Sequence, residues 1–260
     1  MSYTYPFGEQ VKRLEQEDKT PKKVFVLGVY SSAVHARWMK DGKTKCAALA
    51  VASEPRIFWD GNPEEAKAII SRIKIPAELG KLVPAGRNLN GPSAKVLDKD
   101  ILEPLGFTRK DAWLCDLLPE TRINPNQRQV IEGTYNDYIK QYNLPPVTIP
   151  DCPKEYCNEQ RAAEIVEEII QSEAETLVLL GDQPISQFLR KVTDIPYSSL
   201  REYTELYGYG TKTEVFIKGE TIKVLPLAHP RQIGGLGMHC KYWQEVHEKW
   251  DKEVRMKSSV

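Results

Sequence analysis

Short runs of uninterrupted apolar residues alternate along this chain with longer stretches whose apolar positions recur every three or four residues. That alternation is the pattern of an α/β domain. Val24-Phe25-Val26-Leu27-Gly28 follows two lysines and has no polar position, which predicts a strand buried on both faces, as in a parallel sheet. Cys46 to Val51, Ala112 to Cys115 and Leu177 to Gly181 read as further strands, the second closing on Asp116. Val215-Phe216-Ile217 and Ile222 to Leu225 flank Lys218-Gly219-Glu220 and predict a hairpin. Helical spacing marks residues 7–18 (Val11, Leu14), 64–73 after Asn62-Pro63, a run opened by Gly91-Pro92-Ser93, residues 124–142, 158–172, and about 238–254. Prolines 145, 146, 150 and 153 define a loop that joins two helices within one domain.

The expected architecture is a single-domain three-layer α/β/α fold with a central, mostly parallel sheet. A helical extension at 1–21 precedes the domain at 22–254, and a tail follows at 255–260. No apolar stretch approaches the roughly 18 residues of a membrane helix, and the N-terminus lacks the apolar core of a secretory signal. Five cysteines, an odd count with Cys46 and Cys115 in apolar runs, suit reduced thiols in the cytoplasm. Cys152 and Cys157 form a lone C-x4-C pair, which favours incidental thiols over a metal site. A monomer without metal or cofactor, and without a membrane partner, is expected.

The chain has 260 residues, with 36 Lys+Arg against 36 Asp+Glu. Zero net charge excludes a globally basic nucleic-acid binder but not a local basic face. Residues 71–97 carry Arg72, Lys74, Lys81, Arg87 and Lys95 against Glu78, a net +4, whereas residues 151–175 carry eight acids against Lys154 and Arg161, a net −6.

In an open parallel sheet, ligands bind beyond the carboxyl ends of the strands. That directs attention to Gly28-Val29-Tyr30-Ser31-Ser32, Cys115-Asp116, Gly181-Asp182 and Ala228-His229-Pro230. Taken alone, Asp182 reads as a cap for the helix that follows it. The order of these segments resembles the uracil-DNA glycosylase superfamily over roughly residues 22 to 250. The resemblance rests on the strand and glycine of residues 24–32, the segment Gly91-Pro92-Ser93-Ala94-Lys95, the strand Trp113 to Asp116, and the strand Leu177 to Gly181. It rests finally on Val224 to Pro230, followed by Gly234-Gly235-Leu236-Gly237 and a helix.

The resemblance implies a DNA-repair enzyme that extrudes a base into a pocket and cleaves its N-glycosidic bond. His229 matches the donor that stabilises the departing base, while a loop-capping role fits it equally well. Asp116 stands where the family reads the base with Asn. A carboxylate accepts hydrogen bonds but does not donate them, so uracil is not the expected base. Pro92, Ser93 and Lys95 are expected at phosphate. Gly28, Val29, Ser31, Ser32, Pro230 and Arg231 are expected to line the substrate crevice, with DNA reached through the local basic face.

Ile233 is placed either as a wedge in the duplex or packed beneath its own loop. Tyr30 and Ser31 occupy the place of the family's water-activating residue; Tyr30 either stacks on a base or plugs the pocket. His35 is a secondary candidate on a turn, and His239 and His247 read as solvated positions on the last helix. Two other readings stay open. One is a catalytically inactive relative that binds nucleic acid or a nucleotide in the same crevice. The other, ranked last, is a small-molecule α/β enzyme that holds phosphate on helix amides.

Overall fold

The computed structural model of the chain describes residues 2–86, 88–235 and 240–258. Its strands are β1 (Val24–Tyr30), β2 (Ala33–Lys40), β3 (Lys43–Ser53), β4 (Lys81–Pro84), β5 (Ala112–Leu118), β6 (Thr176–Leu180), β7 (Thr213–Ile217) and β8 (Glu220–Leu227). Its α-helices are α1 (Pro63–Ser71), α2 (Pro92–Val96), α3 (Pro125–Thr134), α4 (Asn136–Tyr142), α5 (Glu159–Ser172), α6 (Arg190–Val192), α7 (Leu200–Tyr207), α8 (Pro230–Ile233) and α9 (Lys241–Ser258). Wider helical turns continue α2 over Leu97–Leu102 and precede α6 over Pro184–Leu189. Among the described residues, no helix is long and apolar enough to cross a membrane.

The fold is α/β. A five-stranded, mostly parallel sheet of order β5-β1-β6-β8-β7 is flanked by helices, consistent with the expected three-layer arrangement. Packing divides the chain into two compact units built from interleaved segments. The first comprises residues 1–14, 30–92 and 119–154, and the second comprises 15–29, 93–118 and 155–260.

The second unit holds the five-stranded sheet. Its inner strands are buried along nearly their whole length, which is why β1 and β6 read as unbroken apolar runs. β1, β6 and β8 run parallel, and β7 turns back on β8 through Lys218-Gly219, as the hairpin pattern predicts. Pro226 lies in β8 beyond the last β7 pair, where its missing N–H leaves no ladder bond unmade on that side. Asn158 caps α5 by accepting from the Arg161 N–H at 2.9 Å.

The first unit holds an antiparallel sheet of order β3-β2-β4 over a core that includes Trp38, Leu49, Trp59 and Tyr135. Cys46 to Val51 therefore belongs to a longer strand of a separate sheet. β2 and β3 join through Asp41-Gly42, with φ of 51° and 73°, the two-residue turn whose twist suits a hairpin.

The predicted helix over residues 7–18 is absent. Only Pro6–Gly8 forms a short 3-10 turn, and Phe7 holds a left-handed φ of 67°. The N–H of Val11 bonds to the Tyr3 carbonyl and that of Leu14 to the Pro119 carbonyl, so tertiary partners claim the amides a helix would use. Phe7 meets Trp38 and Tyr135 edge-on, at centroid distances of 5.4 and 5.1 Å. The helix expected over 124–142 breaks between α3 and α4 at Tyr135. The last helix spans Lys241–Ser258 and so extends into the expected tail; Arg87, Leu236, Gly237, Met238 and His239 lie outside the described residues.

Candidate functional site

The strand order gives the second unit a natural crevice. From β1 the chain goes on to β5 on one side, whereas from β6 it goes on to β8 on the other. Neighbouring strands whose connections diverge in this way leave a gap beyond their carboxyl ends. Leu27, Leu179 and Pro226 lie in register across β1, β6 and β8, so Gly28, Leu180 and Leu227 follow one residue further on. At about 5 Å per strand, the ends of β1 and β8 stand about 10 Å apart.

His229 stands at the carboxyl end of β8 and is the N-cap of α8. Its Nδ1 accepts from the Arg231 N–H at 3.1 Å, and its own N–H donates to Gln232 Oε1 at 3.0 Å. Pro230 follows at the first helical position, where its lack of an N–H is harmless. Burial, then the nearby Arg231 charge, holds the imidazole down to about 4. At neutral pH the ring is therefore uncharged, with Nδ1 bare as an acceptor, and the single proton is on Nε2. Among the described residues no group accepts from Nε2. The result is a fixed, neutral N–H donor.

β6 ends against this residue. Gly181 has a left-handed φ of 83°, and its N–H donates to the Leu227 carbonyl at 2.8 Å. A Cβ on Gly181 would lie 3.3 Å from the His229 Cβ, so glycine serves both the turn and the close approach. Asp182 begins the next helix, but its Oδ1 accepts from the Leu200 N–H at 2.8 Å, at the start of α7. It thus caps a different helix from the expected one.

A second histidine supports the first from behind. His247 is buried, correcting the expectation of a solvated position. Its Nε2 donates to the Asp100 carbonyl at 2.8 Å, which leaves Nδ1 to accept from the Tyr209 hydroxyl at 2.6 Å. The Tyr209 oxygen accepts in turn from the N–H of Ala228, the residue before His229, at 3.0 Å. Burial lowers the proton affinity of His247 and raises that of Tyr209, so both stay neutral. Tyr209 and His247 were missed in the sequence because their partners lie 19 to 147 positions away. Trp243, Val246 and Trp250 at helical spacing mark the buried stripe of α9, on which His247 sits.

Asp116 lies inside β5, two residues before its end, and is buried; it does not close the strand as expected. The buried Arg161 of α5 fixes this part of β5. Its Nη2 donates to the Asp116 carbonyl at 2.9 Å and to Cys115 Sγ at 3.1 Å, and its Nε donates to the Leu117 carbonyl at 3.3 Å. Nη1 is held by Glu164 and Glu168, and Trp113 Nε1 donates to Glu168 at 3.0 Å. Burial pushes the Cys115 thiol well up, so it is no nucleophile. Arg122, close to Asp116 in sequence, pairs with Glu120.

The remaining expected residues divide between the units. Gly28 is buried within β1 and makes no tight turn there, because the strand continues to Tyr30; Val29 is half-buried. Ser93 is half-buried and Lys95 exposed at the start of the second unit's helical run. Arg231 is half-buried, and Ile233 is buried, so it does not stand out as an exposed wedge.

Tyr30, Ser31, Ser32 and Pro92 belong to the first unit. There Tyr30 is half-buried, Ser31 is buried, and the Ser32 carbonyl accepts from Thr121 Oγ1 at 3.0 Å. Gly91, before Pro92, is required by packing, since a Cβ there would lie 2.1 Å from the Asp60 carbonyl carbon. His35 is in β2, not on a turn, and its backbone is clamped by Asn90 through bonds of 2.8 and 3.0 Å. Among the described residues, no three His, Cys, Asp or Glu side chains are grouped to hold a metal ion.

Compared with known proteins, the chain matches no family model and no curated protein.

Proposed function

We propose that this chain is a divergent DNA-glycosylase-like protein that hydrolyses the N-glycosidic bond of a damaged or deaminated base. The observation that carries the reading is His229, a neutral Nε2–H donor held at the carboxyl end of β8 beside the end of β6. In such a reaction the bond from C1′ to the base nitrogen breaks and its electron pair leaves with the base. A water oxygen then bonds to C1′, and the proton it gives up ends on the departed base anion. A preorganised donor aimed at the departing base stabilises the charge as it develops, an effect of about 3–4 kcal/mol for one such group. A neutral imidazole suits this role because it donates strongly without being lost to deprotonation. Arg231, whose charge already acts on the ring, adds a positive field.

A second reading has a specific observation behind it. Asp116 is buried within β5, Asp182 is occupied as a cap, and Tyr30-Ser31 supplies no carboxylate. A non-catalytic relative that holds a base or nucleotide in the same crevice needs no water-activating group.

The test is a panel of duplexes and single strands carrying uracil, hypoxanthine, xanthine or mismatched bases, assayed for abasic sites. The glycosylase reading expects product from at least one substrate and its loss in His229→Ala. Saturable binding without product, weakened by His229→Ala, selects the second reading. Neither product nor binding rejects both.

A further inference from the structure

We propose that the closed end of the β2–β3 hairpin is a phosphate-binding surface that engages the backbone of a nucleic acid through Lys40, Lys43 and Lys45, the first and last of them held over Tyr138. This surface shares a nucleic-acid partner with the reading above but does not depend on the crevice or on any chemistry there.

Four cations and one carboxylate, Asp41, occur between residues 33 and 53, and Asp41 is in the turn itself. Lys40 and Lys43 pair directly across the hairpin, where like charges repel and weaken a sheet. A short edge carries such a pair at a cost in stability unless something outside the hairpin balances it. Within the structure nothing does: none of Lys40, Lys43 and Lys45 forms an ion pair with a described residue. Several carboxylates of the same unit are taken up elsewhere, Asp60 and Glu65 by Arg56 and Asp151 by Arg128.

Two of the three ammonium groups are gathered in one place. Lys40 Nζ lies 5.2 Å and Lys45 Nζ 5.4 Å from the centroid of the same Tyr138 ring. A ring face attracts cations and fixes their positions while leaving their charge uncompensated. Tyr138 is itself held edge-on against the buried Trp38 at 5.5 Å, so the platform rests on the core of the unit. Lys43 and Lys45 are two residues apart on β3, with Lys45 at a register irregularity opposite Trp38 and Met39. Both are exposed, and Lys40 is half-buried. On the outer face of the same sheet, exposed Arg37 and Lys81 also lack a described ionic partner, with Lys81 opposite Met39.

A cluster of closely spaced, uncompensated ammonium groups fits a ligand with regularly repeated negative charges. With Tyr138 already covered by lysines, the surface offers charge and not a free stacking face, which favours backbone contact over base reading.

The experiment measures fluorescence anisotropy of labelled single-stranded and duplex DNA, about 20 nucleotides long to span a typical site, with the whole protein across a salt series. Wild type is compared with Lys40→Gln/Lys43→Gln/Lys45→Gln, with the exposed pair Lys43→Glu/Lys45→Glu, and with Lys218→Gln/Lys223→Gln on the other hairpin. Each phosphate contact contributes about 0.7–0.9 to the slope of log K against log salt. The triple variant should bind at least about tenfold more weakly, with a slope smaller by about two. The charge-reversed pair should bind at least as weakly as the triple variant, and the control pair should match wild type.

Unchanged affinity and slope in the first two variants overturn the proposal, as does equal loss in the control. Failure of wild type to bind DNA, or binding of phosphatidylserine vesicles in its place, also overturns it. The crevice reading fails separately: abasic-site formation that persists while hairpin variants bind normally keeps the crevice and rejects the hairpin. Hairpin-dependent binding with no product on any substrate does the reverse.

Discussion

The two units use charge in opposite ways. The segments of the first carry 16 Lys and Arg against 11 Asp and Glu; those of the second carry 20 against 25. The chain's zero balance is therefore the sum of +5 and −5. In the second unit, cations tie elements together: Arg161, with its side chain only 10% exposed, joins α5 to β5, and the more exposed Arg255 joins α9 to Glu103. In the first unit, Lys40 and Lys45 of the hairpin stand over one tyrosine, and neither forms an ion pair with a described carboxylate. Charge that is buried and bonded organises a structure, whereas charge left uncompensated on a rigid edge is available to a ligand.

The largest expected effect tests the structural half of this contrast. Arg161→Ala removes the bonds to the Asp116 and Leu117 carbonyls and leaves Glu168 without its cation. Chemical denaturation should show a loss of about 3–5 kcal/mol. Arg56→Ala in the first unit breaks pairs whose side chains are all about 40% exposed and should cost less than about 1 kcal/mol. Equal losses would erase the distinction.

Tyr209→Phe should come next, at about 2 kcal/mol or more. It leaves the Ala228 N–H and His247 Nδ1 unpaired in a buried setting. Denaturant midpoints measure that cost, and a loss below about 0.5 kcal/mol would mean that the chain of bonds behind His229 holds nothing.

Acid should weaken the second unit through the same two histidines. Both have folded proton affinities below the unfolded value near 6.5, that of His229 down to about 4. Between these limits the unfolded chain binds more protons than the native one, so stability falls as pH falls from about 6.5 towards 4 and is flat above. Urea unfolding between about pH 7 and pH 5 reads the slope. His229→Asn should reduce it, because Asn can cap α8 without titrating in this range. A slope unchanged by that substitution would exclude His229 as its source.

The smallest effect belongs to the hairpin. Lys43→Gln/Lys45→Gln should change the thermal midpoint by the equivalent of about 0.5 kcal/mol or less, and in the stabilising direction, because it relieves repulsion across the strands. A clear destabilisation would give these lysines a role inside the fold and weaken their assignment to a ligand.

What the sequence made legible follows from the range of the interactions concerned. β1, β6 and α5 are written locally, in unbroken apolar runs and in the Asn158 cap. His229 was legible because a strand, a histidine and a helix-starting proline are contiguous. The β2–β3 hairpin carried its signal in Asp41-Gly42, but lysines on both sides masked the strands it joins. The N-terminal segment misled because Val11 and Leu14 have helical spacing, while their amides are bonded to Tyr3 and Pro119. Tyr209, His247 and Asp100 form one hydrogen-bonded line only after folding, and no spacing along the chain announces it.

The most direct test of the central claim is single-turnover abasic-site formation by His229→Asn beside wild type, on whichever modified base the panel identifies. Asn keeps an oxygen for the Arg231 N–H but has no Nε2 donor, so α8 stays capped while the proposed chemistry is lost. A rate at least about 100-fold below wild type, with thermal stability preserved, is the predicted result. Equal rates in the two proteins, or no product from wild type on any base, would contradict it.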